Sequence, residues 1–249
     1  MTDRFFVVVP FFQEERLLPA TLDALRQQRH TQFELVLVDN GSTDGSIAIA
    51  NRFKATAPFP VHIVSEPQKG TGAAADTGFR TAIAMGAQIV ARTDADCIPD
   101  PGWTEAVQAA FAHDGLEFVA GRIRPRRDEG LSLRERWVLP LMVALAERYG
   151  RYARRGPQFR YPYFMAAGNN LAITAELYER AGGFPRTSIE EMHEDRVLSE
   201  QVRQMTDRAA VRDGMIVYNS VRRVRAYGFV NVLRWYRNHG YRPAVVDVR

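Results

Sequence analysis

Up to residue 121, short continuous apolar runs alternate with segments of helical periodicity. The runs at 4–10, 33–38, 61–64 and 88–94 predict strands of a parallel sheet, because strands covered on both faces lose the alternation of polar and apolar residues. Helices are predicted between them at 14–28, 44–54 and 70–85, with a fourth that has Pro101 in its first turn. This repeated alternation predicts a doubly wound α/β sheet, whose ligands bind beyond the carboxyl ends of the strands.

The regular alternation stops after residue 121. The pattern then predicts a long, partly apolar helix at 131–152, a strand region interrupted by Gly and Asn at 161–173, and helices at 174–181 and 193–206. Asp213-Gly214 predicts the turn of an antiparallel edge hairpin at 211–218. We interpret residues 1–249 as one domain with two halves, 1–121 and 122–249, the second ending in a helical extension.

Length and composition indicate an ordinary globular protein. The 249 residues are 46% hydrophobic, which is enough to bury a full core. The only cysteine, Cys97, rules out a disulfide framework and fits a reducing compartment. Residues 5–12 are too short for a secretory signal, and the longest apolar run, 137–146, is well below the ~18–20 residues that span a bilayer. We expect a cytoplasmic protein that is soluble or bound peripherally to the inner face of the membrane.

Positive charge is concentrated in one segment. The formal net charge is +4, but residues 122–160 contain eleven arginines and four acidic residues. A basic block beside an apolar run is typical of contact with anionic lipid or phosphate, and also of a solvated face.

Two carboxylates, Asp94 and Asp96, follow the fourth predicted strand. In an extended segment, residues i and i+2 point to the same side, so both side chains can converge just beyond the strand. Two hard oxygen ligands suit a divalent cation that keeps open positions for the phosphates of a nucleoside diphosphate. A solvated acidic turn is the alternative interpretation.

Seven motifs, taken together and in order, resemble family-2 glycosyltransferases with the GT-A fold. They start at Val9, Val38, Lys69, Asp94, Ala167, Gly182 and His193, and read VPFFQEE, VDNGSTD, KGTGAA, DAD, AGNN, GGF and HED. The resemblance extends to about residue 220. It implies a Rossmann-like, doubly wound, mostly parallel sheet with a C-terminal acceptor-side half. It also implies an inverting hexosyltransferase of surface polysaccharide or glycolipid synthesis that moves a sugar from a nucleoside diphosphate, UDP favoured, to an acceptor hydroxyl.

The resemblance implies a donor site in the first half. Asp39 would accept a hydrogen bond from the nucleotide base, although an Asp before Gly41 also forms turns. Lys69 and the helix N-terminus at Gly70 would attract the diphosphate. Asp96 would ligate Mn²⁺ or Mg²⁺, with Asp94 on the ribose or sharing the metal. The implied nucleotide-binding residues are Pro10, Phe11, Phe12, Glu14, Asp39, Lys69, Gly70 and Asp94.

The resemblance also implies acceptor-side residues in the second half of the chain. Asp195 resembles the base of inverting members, which takes the proton of the acceptor hydroxyl during attack on the anomeric carbon. Alternatively, Glu194-Asp195 only stabilises a helix N-terminus. The implied acceptor-side residues are Gly168, Asn169, Glu194 and Trp235. His193 and His239 stay open as further metal ligands, because an isolated histidine is more often structural.

Several positions depart from the family pattern. Asn40 replaces a frequent aspartate, Gln13 a frequent asparagine, and Asp76 stands where asparagine is common. Residues 231–235 partly match the Q-x-x-R-W motif of processive synthases, but the first position differs and no membrane-spanning segment is predicted. The sequence therefore favours transfer of single sugars.

Two other classes of protein compete with this interpretation. Gly70-x-Gly72-x-x-Ala75 followed by Asp94 fits the spacing of an NAD(P)-dependent oxidoreductase, but the loop before Gly70 is too long for the tight turn of that fingerprint. Aromatic residues interleaved with arginines at 149–163 suit a nucleic-acid or anionic-surface binding module. We expect no nucleic-acid partner.

The helix predicted at 131–152 leaves two roles open. Leu131, Leu133, Trp137, Leu141 and Leu145 fall close to one stripe, which Arg134, Arg136, Arg148 and Arg151 flank. This pattern suits an interfacial helix on a lipid surface, which would give access to a lipid-linked acceptor. The same stripe suits packing on the sheet or on a second subunit of a homodimer.

Overall fold

A computed structural model of the chain describes residues 4–186, 193–228 and 231. The strands in this part of the chain are β1 Phe5–Phe11, β2 Glu34–Asp39, β3 Val61–Ser65, β4 Ile89–Thr93, β5 Cys97–Pro99, β6 Phe118–Pro125, β7 Asn170–Thr174 and β8 Ala209–Asn219. The helices are α1 Leu18–Arg26, α2 Ser46–Thr56, α3 Thr71–Ala84, α4 Trp103–Ala112, α5 Leu133–Ala153, α6 Ala175–Arg180, α7 Glu194–Met205 and α8 Arg222–Tyr227. No helix of the described residues is long and apolar enough to cross a membrane.

The strands form one mixed sheet in the order β3-β2-β1-β4-β7-β6-β8-β5. The four strands predicted from apolar runs, β3, β2, β1 and β4, are adjacent and parallel, as predicted. Their carboxyl ends therefore lie along one edge. β7 runs antiparallel between β4 and β6, so it joins the two halves of the sheet.

The core lies on both faces of the sheet. Val7 and Val9 of β1 contribute to the layer under α1, α2 and α4, and Phe6 and Val8 to the layer under α3, α6 and α7. All four side chains are buried, which explains why β1 has no polar positions. Helices on both faces confirm the doubly wound arrangement.

The hairpin predicted at Asp213-Gly214 is wrong. β8 is one strand that pairs in parallel with β6, and the pairing shifts from Gly121↔Arg212 to Arg122↔Ile216. Asp213 and Gly214 lie in this irregularity, so their turn-forming preference bends the strand without reversing it. The sequence pattern could not show that the partner strand comes about 90 residues earlier.

Two further boundaries differ from the prediction. α4 begins at Trp103 with Gly102 as its N-cap, so Pro101 precedes the helix and is not in its first turn. In the strand region predicted at 161–173, β7 covers only Asn170–Thr174. The division predicted between residues 121 and 122 falls inside β6.

Gly78 lets α3 approach the sheet closely, which gives a stability prediction. A Cβ at Gly78 would lie 2.3 Å from Val8 Cγ1 and 2.9 Å from Val38 Cγ2. We expect Gly78→Ala to lower the free energy of unfolding by about 1–3 kcal/mol through overpacking, although alanine is normally about 1 kcal/mol better than glycine inside a helix.

Urea denaturation measures this effect, with Gly214→Ala as the control. A Cβ at Gly214 meets only Ala106 Cβ, at 3.6 Å, which is an ordinary contact. Equal or higher stability of Gly78→Ala would contradict the close packing of α3.

Candidate active site

Asp39 is the last residue of β2, at the edge where the parallel strands end. It is buried, and the amide of Ser42 donates to its Oδ1 at 2.9 Å. Among the described residues no hydrogen bond reaches Oδ2. Asp39 therefore forms the predicted turn and keeps one carboxylate oxygen for a ligand.

Asn40 holds the β3–α3 loop against the end of β2. Its Nδ2 donates to the carbonyls of Glu66 and Gln68 at 2.9 and 2.8 Å, and the amide of Gly70 donates to its Oδ1 at 2.9 Å. An aspartate has no donor for the two carbonyls. The departure from the family pattern at this position therefore has a structural reason.

Lys69 lies at the same edge as Asp39. Its Nζ donates to the carbonyls of Asn40 and Gly41 at 3.0 and 3.2 Å and lies 3.7 Å from the centre of the Phe12 ring. No carboxylate of the described residues forms an ion pair with it. The ammonium group is thus positioned without a neutralising partner, as an anion-binding lysine needs to be.

Gly70 is the N-cap of α3 with φ of 143°, a backbone conformation that side chains disfavour. The turn at Gly70 directs the N-terminus of α3 toward this edge, where backbone N–H groups attract anions. Pro10 and Phe11, the last residues of β1, are buried beside Asp39. The structure thus brings most of the predicted nucleotide-binding residues together.

Asp94 and Asp96 follow β4 as predicted, and each is paired with an arginine. Arg92 Nε lies 3.0 Å from Asp94 Oδ1, and Arg222 Nη2 lies 3.0 Å from Asp96 Oδ2. Arg222 also binds both carboxylate oxygens of Glu14, with Nη1 2.9 Å from Oε2. The predicted nucleotide contact Glu14 is therefore a buried partner of Arg222.

The donor set at Asp94 and Asp96 fits a divalent cation that substrate phosphates complete. No group of three or more His, Cys, Asp or Glu side chains in the described ranges is arranged to hold a metal alone. Mg²⁺-type ions are commonly held by one or two carboxylates together with phosphates. Asp94 Oδ2 has no protein partner among these residues, and Asp96 Oδ1 only the Cys97 thiol at 3.5 Å.

Arg92 connects Asp94, which follows β4, with Glu194 at the start of α7. It lies inside β4, is 1% exposed, and its Nη1 is 3.2 Å from Glu194 Oε1. Although burial opposes the charged form, the charges of Asp94 and Glu194 raise the pKa of Arg92, so the guanidinium stays charged. A Cβ on Gly168 would lie 2.9 Å from its Nη1, so the Gly168 backbone packs directly on it.

Asp195 lies in the first turn of α7, next to Glu194. The amide of Gly168 donates to Asp195 Oδ2 at 2.9 Å and the amide of Arg196 to Oδ1 at 2.7 Å. Burial raises the pKa of Asp195, against the lowering effects of the Gly168 hydrogen bond and the Arg92 charge. A fixed carboxylate with a raised pKa suits proton abstraction.

The remaining predicted site residues, and Asn170 beside Asn169, differ in their surroundings. Asn169 Oδ1 is buried and has no hydrogen-bond partner in the described part of the chain. Asn170 is structural, because it accepts from Trp103 Nε1 at 2.8 Å and donates to the carbonyls of Arg122 and Met215. His193 is buried as the N-cap residue of α7. Trp235 and His239 lie outside the described residues.

Sequence reasoning missed two site residues, Arg92 and Arg222. Arg92 is the next-to-last residue of β4, after the apolar run and just before Asp94, so its place in the sequence does not show that it is buried. Arg222 follows β8, whose last residue, Asn219, pairs with Cys97 directly after Asp96. Arg222 reaches the carboxylates only because β8 pairs with β5, and the predicted hairpin does not include that pairing.

The fold and the site define a class of protein. The α/β sheet gathers at one edge the carboxylate of Asp39, the ammonium group of Lys69, the carboxylate pair and the half-buried carboxylate of Asp195. In open α/β sheets this edge is where ligands bind. The model of the family "Glycosyl transferase family 2" matches residues 6–180. The chain therefore belongs to glycosyltransferase family 2, and this membership favours that class of protein over the oxidoreductase and the nucleic-acid-binding module.

Curated relatives agree with the family. The chain is 28% identical over 181 residues to glycosyltransferase AglE of Haloferax volcanii, covering 72% of this chain and 55% of the relative. It is 26% identical over 134 residues to the UDP-N-acetylglucosamine–dolichyl-phosphate N-acetylglucosaminyltransferase of Methanococcus voltae, covering 49% of this chain and 53% of the relative. The chain thus spans about half the length of these relatives.

Solved structures confirm the predicted GT-A fold. The mannosyltransferase PcManGT from Pyrobaculum calidifontis, in complex with GDP-Man and Mn²⁺, is 27% identical with a TM-score of 0.65, over 89% of this chain and 58% of the other. Staphylococcus aureus TarS in complex with UDP-GlcNAc is 15% identical with a TM-score of 0.62, over 87% and 58% of the two chains. At that identity the likeness shows the fold alone.

The buried ion pairs of Arg92 give a second stability prediction. We expect Arg92→Met to lower the free energy of unfolding by about 3–5 kcal/mol, because it leaves the Glu194 and Asp94 carboxylates without their cation. Thermal and urea unfolding measure the change. The control is Arg180→Met, whose pair with Glu176 is exposed and should contribute less than about 1 kcal/mol. A loss as small as that of the control would contradict the central role of Arg92.

Proposed function

We propose that this protein is an inverting glycosyltransferase that moves a sugar from a UDP-sugar to an acceptor hydroxyl with the help of a divalent cation. The observation that carries the proposal is the position of Asp195. Its carboxylate is held by the Gly168 amide and linked through Glu194 and Arg92 to Asp94. This arrangement supports a catalytic base in the same network as the proposed donor-side carboxylates.

Each of the proposed donor residues binds a different part of the nucleotide sugar. Asp39 Oδ2 accepts from the base, and Pro10, Phe11 and Phe12 line the base pocket. Lys69 and the N-terminus of α3 at Gly70 bind the diphosphate. Asp94 and Asp96 hold Mn²⁺ or Mg²⁺, which neutralises the leaving diphosphate when bound. The complex of PcManGT with GDP-Man and Mn²⁺ supports a metal-assisted donor site.

Asp195 takes the proton in the transfer step. The acceptor hydroxyl oxygen attacks the anomeric carbon, its proton passes to the Asp195 carboxylate, and the bond from the anomeric carbon to the diphosphate oxygen breaks. A single displacement needs one base and no covalent nucleophile. The configuration at the anomeric carbon is therefore inverted.

The acceptor is inferred to be a lipid-linked or glycan hydroxyl in surface polysaccharide or glycolipid synthesis. The name of the Methanococcus voltae relative, which uses dolichyl phosphate, supports a lipid-linked acceptor. Asn169, whose buried Oδ1 has no partner within the described ranges, is the polar group offered to the acceptor together with Glu194. The free, buried thiol of Cys97 fits a location in the reducing cytoplasm.

A donor panel tests this function. The protein is incubated with Mn²⁺ or Mg²⁺, an acceptor mixture that includes polyprenyl-phosphate-linked sugars, and UDP-, GDP- or dTDP-sugars in turn, and the released nucleoside diphosphate is measured. We expect release from a UDP-sugar that EDTA abolishes. Release from a GDP-sugar alone would overturn the choice of nucleotide, and no release from any donor would overturn the proposal.

Asp96→Asn and Asp195→Asn should fail in different ways. Asp96→Asn should abolish metal-dependent UDP binding, because the amide lacks the charge that holds the cation. Asp195→Asn should bind UDP and Mn²⁺ like the wild type and lower kcat by about 10²–10⁴-fold, the usual effect of losing a general base. Isothermal titration and steady-state kinetics separate the two. Equal loss of UDP affinity in both variants would contradict this division of roles.

The raised pKa of Asp195 predicts the pH profile of the reaction. A base works only when deprotonated, so kcat/KM should fall tenfold per pH unit as the pH drops below its pKa, with the midpoint above the usual Asp value of about 3.9. The measurement is kcat/KM from about pH 4.5 to 8, with circular dichroism to check folding at each pH. Persistence of the same acid limb in Asp195→Asn would assign it to another group.

A further inference from the structure

Helix α5 carries large hydrophobic side chains on the face that points away from the protein. Trp137, Leu141 and Tyr152 are 70, 58 and 73% exposed. The same face continues through Leu133, Val138, Leu145 and Tyr149. Nothing in the described part of the chain covers it, and soluble proteins rarely leave so extended an apolar patch uncovered.

Ion pairs hold the polar face of α5 against the protein. Glu135 Oε1 is 2.7 Å from Arg225 Nε of α8, and Glu147 Oε2 is 3.5 Å from Arg122 Nη1 of β6. Both glutamate side chains are only 13% exposed. A Cβ at Gly150 would lie 2.3 Å from the Tyr163 ring, so this side packs closely. These ion pairs fix the rotation of α5, so that its exposed hydrophobic side chains point away from the protein.

The positive charge around the apolar face of α5 indicates which kind of surface binds there. Arg136, Arg148, Arg151 and Arg155 are exposed on or next to α5, and the only acidic residues of the helix are the two paired glutamates. Two copies meeting through this face would bring like charges together. Anionic headgroups complement it, and Trp and Tyr are the side chains that favour the bilayer interface.

We propose that α5 is an interfacial helix that lies in the plane of an anionic phospholipid bilayer. Its apolar face enters the acyl boundary and its arginines bind lipid phosphates. The 21-residue helix is not apolar enough to cross the membrane, so it binds along the surface. The proposal depends on the surface of α5 and not on the transferase activity.

The attachment of α5 sets the orientation of the site on the membrane. Arg154, the C-cap residue of α5, pairs with Glu200 of α7, the helix that begins with Glu194 and Asp195. The pair of Glu135 with Arg225 joins its other end to α8, which begins at Arg222. A bilayer on α5 would therefore lie beside α7, the helix that carries Asp195, which deepens the proposed function by indicating where a lipid-linked acceptor would enter.

Vesicle flotation of the full chain tests the proposal. We expect binding to phosphatidylglycerol–phosphatidylcholine vesicles at low salt, weaker binding at about 0.5 M salt, and little binding to phosphatidylcholine alone. Trp137→Ser/Leu141→Ser should lose binding with an unchanged melting temperature, because both side chains are exposed. Ile47→Ser on α2, an exposed apolar position outside the patch, should bind normally.

A pair of charge variants tests the arginines. Arg136→Gln/Arg148→Gln should weaken binding about 30-fold, or about fivefold for each arginine near the surface. Arg16→Gln/Arg52→Gln removes the same charge from the first half of the chain and should change affinity little. Equal weakening by both double variants would show a general charge effect and overturn the role of α5.

Tryptophan fluorescence tests whether lipid, rather than protein, covers the apolar face of α5. Lipids brominated in the acyl chain should quench the wild type more than Trp137→Phe, and in the absence of lipid Trp137 should be accessible to acrylamide. The proposal is overturned if the wild type does not bind anionic vesicles at low salt. It is also overturned if Trp137 is already shielded, either in a dimer seen by light scattering or by other residues of the chain.

Discussion

The buried guanidinium of Arg92 is the interaction on which the site depends. It lies near the end of β4, and its two ion pairs reach Asp94, which follows the same strand, and Glu194 at the start of α7. The parallel strands and the antiparallel part of the sheet are thus joined by charge as well as by the pairing of β4 with β7. A charge this deep is tolerated only with partners, so the position of α7 and the site geometry are determined together.

A second arginine, Arg222, joins the ends of β1 and β4 by the same means. Arg222 lies between Glu14, which follows β1, and Asp96, which follows β4, and it is mostly buried. Its positive charge offsets two of the carboxylates that would otherwise repel one another before substrate binds. The two arginines explain how several acidic groups can lie together at this edge of the sheet.

Much of the first half could be predicted from the sequence, because its signals are local. Apolar runs that end in polar residues located β1, β2, β3 and β4, and the motifs located Asp39, Lys69, Asp94 and Asp195. The second half depends on partners distant in sequence. The Asp213-Gly214 pair has the local signal of a turn, but β6 imposes a continuous parallel strand. Arg92 and Arg222 were missed for the same reason, since a buried charge is recognised only by its partners. Asn40 is a related case, because its departure from the family pattern makes sense only with the two carbonyls it binds.

The late position of Arg222 has a consequence for synthesis on the ribosome. Asp96 and Arg222 are 126 residues apart, so the nascent chain presents the Glu14 and Asp96 carboxylates long before the arginine that pairs with them emerges. Glu194 likewise follows Arg92 by 102 residues. An emerging chain that already contains β1 to β4 therefore carries unpaired charges at its sheet edge. The sheet edge reaches its native charge balance only when the segment after β8 has been translated. A fragment ending at residue 180, where the family match stops, would lack both Arg222 and Glu194 and therefore that charge balance.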